Sequence, residues 1–359
     1  MIILGLMSGT SLDGVDMALC DIDRNGYAIL AAETVPYPEE WRHRLSTLEN
    51  ATALEYAQAH VDLGHYFGRL ARQFLSTVDA RVDAIASHGH TIFHQPDRGL
   101  TTQIGDGDAI AAETGLPVVS NFRTLDVALG GQGAPLVPIG DELLFGHYDA
   151  CLNLGGIANI SYREAGKRIA YDISPCNMAL NRIAARMGMD YDRDGAVARG
   201  GHVDETLLHA LDSLGYYAAH PPKSLGKEWF VGQFWPLVEA APLKEADLMA
   251  TVAWHVAGQI ADVLCRQHIG SLLVTGGGAF NRHLVDCIGR RASATTVTVP
   301  DENIVNYKEA LIFALLGYLR LTRQENTLAS VTGARCNSVG GTVSGLFGNE
   351  FNDLGNSVL

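Results

Sequence analysis

Residues 1–21, MIILGLMSGTSLDGVDMALCD, contain an apolar run Met1–Leu6, a turn at Ser8-Gly9-Thr10-Ser11 and an alternating run Val15–Asp21. A second turn, Arg24-Asn25-Gly26, leads into alternation over Tyr27–Thr34, so the chain opens as a three-stranded antiparallel meander. The same grammar heads the second half. Ala150–Leu154, a Gly155-Gly156 turn, Ile157–Tyr162, a polar turn around Gly166 and Arg168–Ile173 repeat the order strand, glycine turn, strand, turn, strand. Two such heads point to an α/β chain built by duplication, on pattern rather than on side-chain identity, which is low between the halves.

Working outward, Leu54, Ala57, Val61, Leu63, Phe67, Leu70 and Phe74 predict one long amphipathic helix over 52–76. A short apolar strand Val82–Ser87 ends in Gly89, and a helix Asp108–Thr114 followed by a strand Leu116–Ser120 implies a parallel-sheet element. In the second half, a buried strand Ser271–Thr275, a Gly276-Gly277-Gly278 turn, a helix Asn281–Arg290 and a mostly buried helix Glu309–Leu321 follow. The dense stretch Gly130-Gly131-Gln132-Gly133-Ala134-Pro135 marks the expected junction. It divides an N-terminal domain 1–129, completed by segment 340–359, from a C-terminal domain 130–339.

A chain of 359 residues, 47% hydrophobic and 18% charged, buries a sizeable core and is neither a small module nor disordered. Lys+Arg 26 against Asp+Glu 40 gives a net charge of −14, which disfavours duplex nucleic acid and anionic membrane as partners. The longest apolar stretch, Ala310–Leu319, is interrupted by Gly317 and is shorter than the ~20 residues of a membrane span. No secretory pattern is visible at the N-terminus, so the expectation is a soluble, cytoplasmic protein. The 6 cysteines form no C-x-x-C pair, and most read as small buried residues.

Four stretches carry chemistry. Gly9-Thr10-Ser11-Leu12-Asp13-Gly14-Val15-Asp16 joins two strands, where backbone N–H groups and hydroxyls can wrap phosphate oxygens. It fits neither the Walker nor the dinucleotide glycine pattern, and its residues also suit an ordinary hairpin turn. Gly276-Gly277-Gly278 with Asn281 follows a buried strand and opens a helix, a place where a base or phosphate can approach the backbone, or simply a tight turn. Asp172, in Asp172-Ile173-Ser174-Pro175-Cys176-Asn177, ends a strand before a proline turn; the carboxylate suits a general base or an Asx turn. His88-Gly89-His90 with His94 is read as a strand end lining a cleft rather than a metal site, and Arg123 and Glu309 are lone charges beside apolar runs.

Taken in order with Asn121-Phe122-Arg123, Gly130 to Pro135 and Asn153-Leu154-Gly155-Gly156-Ile157-Ala158-Asn159-Ile160, these motifs resemble the anhydro-N-acetylmuramic acid kinase family over nearly the whole chain. That resemblance implies the two-domain sugar kinase/hsp70/actin fold, with duplicated mixed-sheet, RNase H-like domains and an interdomain cleft. It implies an enzyme that uses ATP, with Mg2+, and water to open the 1,6-anhydro ring while phosphorylating O6, in peptidoglycan recycling. By position, Asp172 would activate the water, and Arg123, Glu309 and His90 would hold the sugar. Gly9, Thr10, Ser11, Leu12, Asp13, Gly14, Val15, Asp16, Gly155, Gly156, Gly276, Gly277, Gly278 and Asn281 would bind ATP; metal ligands and a homodimer stay open. The chain departs from the family pattern at His90, Asn121, Ile173, Ser174 and Cys176. A kinase for another anhydrosugar, one resembling levoglucosan kinase, and a catalytically silent ATP-binding protein on the same fold are the alternative readings.

Overall fold

In the first half of the chain, the expected meander forms as β1 (Ile2–Ser8), β2 (Gly14–Ile22) and β3 (Tyr27–Pro36), each antiparallel to the next. This is a computed structural model, and it describes residues 1–24 and 26–345. Asn25 and segment 346–359, most of the stretch expected to complete the first domain, lie outside the described residues. β1 is apolar almost throughout and is buried on both faces, as a central strand must be, whereas β3 alternates and sits at the sheet edge with Glu33 exposed.

Beyond the meander, β4 (Ala84–Gln95) lies parallel to β1, β5 (Leu100–Ile104) folds back on β4, and β6 (Val118–Ser120) is parallel to β4. A last strand, Thr342–Ser344, pairs antiparallel with β6 to close a 7-stranded sheet. The sequence pattern stopped β4 at Gly89, but the strand runs on through the left-handed Gly89 to Gln95, because β5 supplies a partner for residues whose apolar pattern has ended.

In the second half, β7 (Ala150–Leu154), β8 (Ile157–Glu164) and β9 (Lys167–Pro175) form the second meander. β10 (Ser271–Thr275) lies parallel to β7, and β11 (Thr296–Thr298) lies parallel to β10. The strand orders β3-β2-β1-β4-β6 and β9-β8-β7-β10-β11 are therefore the same topology, the repeat expected from the two heads. The protein is mixed α/β with two mixed sheets.

The chain divides into two compact units, Phe145–Asn306 and the remainder, Met1–Leu144 with the chain from Tyr307 on. This differs from the expected boundaries at 129/130 and 339/340. Gly130 to Pro135 belongs wholly to the first unit, where Gly131 N and Gly133 N donate to the Asp126 carbonyl and carboxylate and Gln132 N donates to Thr332 O. The second return comes earlier because the helix Glu302–Leu321 packs its later turns on the first sheet: a Cβ at Gly5 would overlap the Ala310 carbonyl, and one at Gly317 would lie 2.6 Å from Ala86 Cβ.

Each unit has its own core. In the first, the helix Ala53–Leu75 starts with a capping box, Glu55 N donating to Thr52 Oγ1 and Thr52 N to the Glu55 carboxylate. It buries Leu63, Phe67, Ala71 and Phe74 against the sheet, each large side chain contributing roughly 1.5–3 kcal/mol. In the second, the core centres on the helix Glu245–Arg266. Among the described residues this is the one helix long and apolar enough to cross a membrane, and 78% of its apolar window is buried, as for a core helix. All six cysteines are unbridged, four of them buried.

Candidate active site

The first unit gathers its chemistry around the ends of β1 and β4. Ser8, the last residue of β1, is paired in register with His90, and its Oγ lies 2.8 Å from His90 Nδ1 and 2.7 Å from the Tyr37 hydroxyl. Burial pulls His90 down to about 4, so the ring is neutral. His88, two residues back, accepts at Nε2 from Arg123 Nε at 3.0 Å; Arg123 Nη1 donates to Gly133 O at 2.7 Å. Burial holds His88 well below the ordinary histidine value, with the Arg123 charge adding to it, and a neutral ring accepting at Nε2 carries its proton on Nδ1. Burial also pulls Arg123 down, to about 10, against the opposing charges of Glu309 and Asp126; the guanidinium stays charged.

Glu309, on the helix Glu302–Leu321, has its carboxyl raised by burial and by Asp16, with Lys308 and Arg123 opposing. Asp16 is raised by burial and by Asp13, while Thr34 Oγ1 donates to it at 2.6 Å. The first unit thus brings together Asp16, His88, Arg123 and Glu309, with the Gly9 to Asp16 turn beside them on the chain. Within that turn Leu12 N donates to Gly9 O and Leu12 takes a left-handed conformation, φ +62. Asn121 is also left-handed and accepts from Thr124 Oγ1. His94 Nδ1 lies 3.1 Å from Thr101 Oγ1. The three histidines are therefore engaged with Arg123, Ser8 and Thr101, and among the described residues no cluster of three or more His, Cys, Asp or Glu side chains forms a metal cage.

In the second unit, Asp172 sits near the end of β9 opposite Asn159. Its Oδ2 accepts from Leu225 N at 2.9 Å and its main-chain oxygen from the Tyr216 hydroxyl at 2.6 Å. Burial raises the carboxyl above the ordinary aspartate value against the Leu225 hydrogen bond, a shift towards the pKa a general base needs. In the glycine block, the three residues differ. A Cβ at Gly276, φ +81, would overlap Asn153 Oδ1, and one at Gly278 would lie 2.7 Å from Leu154 Cβ, whereas Gly277 faces open space. Gly155 and Gly156 have nothing within 3.4 Å of an added Cβ beyond ordinary contacts. Asn281 caps the helix Arg282–Arg291, its Oδ1 accepting from Leu284 N at 3.0 Å. A cavity of about 410 Å³ adjoins this block, lined by Asp194, Arg199, Ala279, Phe280 and Arg282 among others.

The sequence profile of the anhydro-N-acetylmuramic acid kinase family matches residues 1–345. The chain is 37% identical over 352 residues to an anhydro-N-acetylmuramic acid kinase of Aliivibrio fischeri, covering 92% of this chain and 95% of that protein. It is 39% identical over 361 residues to one of Gloeobacter violaceus, with the same coverage. The chain belongs to the anhydro-N-acetylmuramic acid kinase family. It is thereby an ATP-dependent sugar kinase, as the motifs implied. Among solved structures it is similar to an activator of 2-hydroxyisocaproyl-CoA dehydratase from Clostridium difficile with bound ADPNP, at TM-score 0.46 and 15% identity over 90% of this chain and 96% of that one.

For a member of this family, the departures in the Asp172 loop have a local explanation. Ser174 and Cys176 are both 0% exposed, and Cys176 is part of the second unit's core, so their side chains fill the interior. Burial pushes the Cys176 thiol up to about 12, which leaves it unreactive. Tyr216, on the short helix Gly215–Ala218, and Leu225, in the loop before the helix Lys227–Trp229, hold Asp172, and no sequence motif marks either. The partnership of His88 with Arg123 was likewise invisible, since the two lie on separate elements 35 residues apart.

Proposed function

We propose that this chain hydrolyses the 1,6-anhydro ring of 1,6-anhydro-N-acetylmuramic acid and phosphorylates O6 at the expense of ATP, giving N-acetylmuramic acid 6-phosphate. The observation that carries this reading is a family match over residues 1–345 together with an Asp172 carboxylate that is anchored by one N–H and raised by burial. Asp172 takes a proton from water as its oxygen attacks C1. The C1–O6 bond breaks, O6 bonds to the terminal phosphorus, and ADP leaves. Positioning and charge neutralisation supply most of the catalysis in such a transfer.

Arg123 suits the carboxylate of an acidic sugar, because its guanidinium is already oriented by His88 and Gly133 O and stays charged. Glu309 and His90 would accept from or donate to sugar hydroxyls. For ATP, the Gly9 to Asp16 turn, through its N–H groups and hydroxyls ahead of the β2 ladder, and Gly155-Gly156 suit phosphate oxygens, and open Gly277 with the cavity beside Phe280 suits the nucleoside. Mg2+ fits Asp13 and Asp16, a like-charged pair whose mutual repulsion a divalent ion relieves; the ion would neutralise phosphate charge. Such a sugar is a cell-wall fragment, so the reaction belongs to peptidoglycan recycling in the cytoplasm, where ATP is supplied.

The test is phosphorylation of purified 1,6-anhydro-N-acetylmuramic acid and of levoglucosan, with ATP hydrolysis alone as control. The expected product is heavier than the muramic substrate by one water and one phosphoryl group. Turnover of levoglucosan alone, or of neither sugar, would overturn the reading in favour of another substrate or a silent ATP-binding protein.

A further inference from the structure

His255 lies on the core helix Glu245–Arg266 with 0% of its surface exposed. An imidazole is costly there unless both ring nitrogens are bonded. Both are: Nδ1 is 2.6 Å from Asp212 Oδ1, and Nε2 is 2.9 Å from the Tyr217 hydroxyl. That hydroxyl lies 3.2 Å from Oγ of Ser174, which is itself fully buried on β9. Asp212 also accepts from Gln259 Nε2 at 3.0 Å, so the far end of the chain is held from two sides.

Donor counting fixes the protons nearest His255. Ionised Asp212 only accepts, so His255 donates from Nδ1 and the Nε2 of the neutral ring accepts from Tyr217; the single Ser174 hydroxyl proton is shared between Pro175 O at 3.1 Å and the Tyr217 oxygen at 3.2 Å. Burial keeps the ring neutral, with Asp212 opposing and the Arg291 charge assisting. Burial works against the Asp212 carboxylate, but His255, the Gln259 hydrogen bond and the Arg291 charge together outweigh it and hold that carboxyl below its ordinary range. The Tyr217 and His255 links thus polarise one another towards Asp212.

Next to Tyr217 on the chain, Tyr216 grips the same strand. Its hydroxyl donates to the Asp172 main-chain oxygen, its ring lies 4.4 Å under Lys223 Nζ, and the same amine donates to its carbonyl. The β8–β9 register slips by one residue between Asp172, paired with Asn159, and Ser174, paired with Ala158, so two consecutive tyrosines hold β9 on either side of that bulge. Trp229 packs on both rings, at 5.3 and 6.2 Å between centroids, and couples them.

We propose that His255 is a positioning residue for Asp172: through Tyr217 it sets the tandem tyrosines against the end of β9 and so fixes the main chain that carries the base. The inference rests on the reading of Asp172 as that base. A catalytic group displaced by an ångström loses about 100-fold in rate, so a clamp of this kind is felt in turnover before it is felt in binding.

The experiment compares His255→Ala, His255→Gln, Tyr217→Phe, the double variant His255→Ala/Tyr217→Phe and Asp172→Asn in steady-state kinetics, with folding checked by circular dichroism. His255→Ala and Tyr217→Phe are expected to lower kcat about 10- to 100-fold with KM for sugar and ATP within about twofold. Glutamine places an acceptor near the Nε2 position, so His255→Gln should recover most of the loss. The double variant should be no slower than the slower single, because the chain acts as one unit. Nitrogen-15 resonances of His255 should report the Nδ1–H tautomer and shift in Tyr217→Phe.

Folded His255→Ala and Tyr217→Phe proteins with kcat within about twofold of the parent, or single losses that multiply in the double variant, would overturn the inference. Should His255→Ala not fold, Tyr217→Phe, which removes one hydroxyl, decides alone. An inactive Asp172→Asn with unaffected Tyr217→Phe sinks this inference only; a fully active Asp172→Asn removes the base reading and this inference together.

Discussion

Arg123 donates from Nε to Nε2 of His88 at 3.0 Å, a bond from a permanently charged donor to a buried ring that burial and that charge keep neutral. Removing the acceptor leaves a buried N–H unpaired and lets the guanidinium turn. In His88→Ala, KM for the sugar should rise about tenfold, the equivalent of ~1.4 kcal/mol, with KM for ATP unchanged. Because His88 is held well below the ordinary histidine value, sugar KM in the parent should be flat from pH 6 upward. It should rise only in more acid solution, where a protonated Nε2 would face Arg123 as a donor. Sugar KM measured from pH 5 to 9 checks both; an inflection between pH 6 and 7 would contradict the neutral ring.

Asp172→Asn should retain ATP binding and lose about 100- to 10,000-fold in kcat, the range for a positioned general base. Since burial raises this carboxyl, kcat/KM in the parent should begin to fall, on acidification, at a higher pH than an ordinary aspartate would set. Stability runs the other way. A carboxyl raised by folding binds more protons in the native state than in the unfolded one, so its ionisation costs stability as pH rises through the shifted value. Asparagine keeps the acceptor for Leu225 N without the charge, so the melting temperature of Asp172→Asn at pH 7 should equal or exceed the parent's. A drop of several degrees would show that the carboxylate is structural.

Lys308 Nζ lies 2.6 Å from Asp141 Oδ1, with each side chain 5% exposed. The pair joins the helix Pro138–Leu143 to Glu302–Leu321 next to Glu309. Deleting one partner takes the opposite charge from beside a buried one, and Lys308→Ala or Asp141→Ala should each destabilise the protein by about 3–5 kcal/mol. The apolar double Lys308→Met/Asp141→Leu should lose much less, because two desolvation penalties vanish together. Urea denaturation of the three variants checks this; equal losses in all three would argue that packing rather than charge sets the cost.

The meanders, the helix Ala53–Leu75 and the duplication were legible because each rests on local pattern: alternation ended by glycine turns, or apolar residues at helical spacing. Val82–Ser87 was legible, but the continuation of β4 through His90 and His94 was not, since only pairing with β5 makes those polar residues a strand. The stretch from Asn177 to Ala240 is broken into short helices joined by loops, and there the partners of Asp172 lie. Candidate residues such as Asp172 and Arg123 could be named from motif and position. What orients them, Leu225, Tyr216 and His88, comes from other elements, and no single stretch of sequence carries that information.

The three glycines 276–278 make different demands, and substitution separates them. Gly276 is left-handed and pressed on Asn153, and Gly278 is pressed on Leu154, so a side chain at either disturbs the contact between β10 and β7 whether or not ATP binds. Gly277 meets no atom within 4 Å of an added Cβ, so the fold gives no reason for glycine there. Close backbone approach by a nucleotide would give one. Gly277→Val should therefore leave the melting temperature within a degree or two of the parent and weaken ATP binding at least about tenfold, while sugar binding measured by calorimetry stays unchanged. Gly278→Val is the control: with its Cβ 2.7 Å from that of Leu154, it should lower the melting temperature and weaken both ligands together. Unchanged ATP affinity in a folded Gly277→Val protein would move the nucleotide away from this turn.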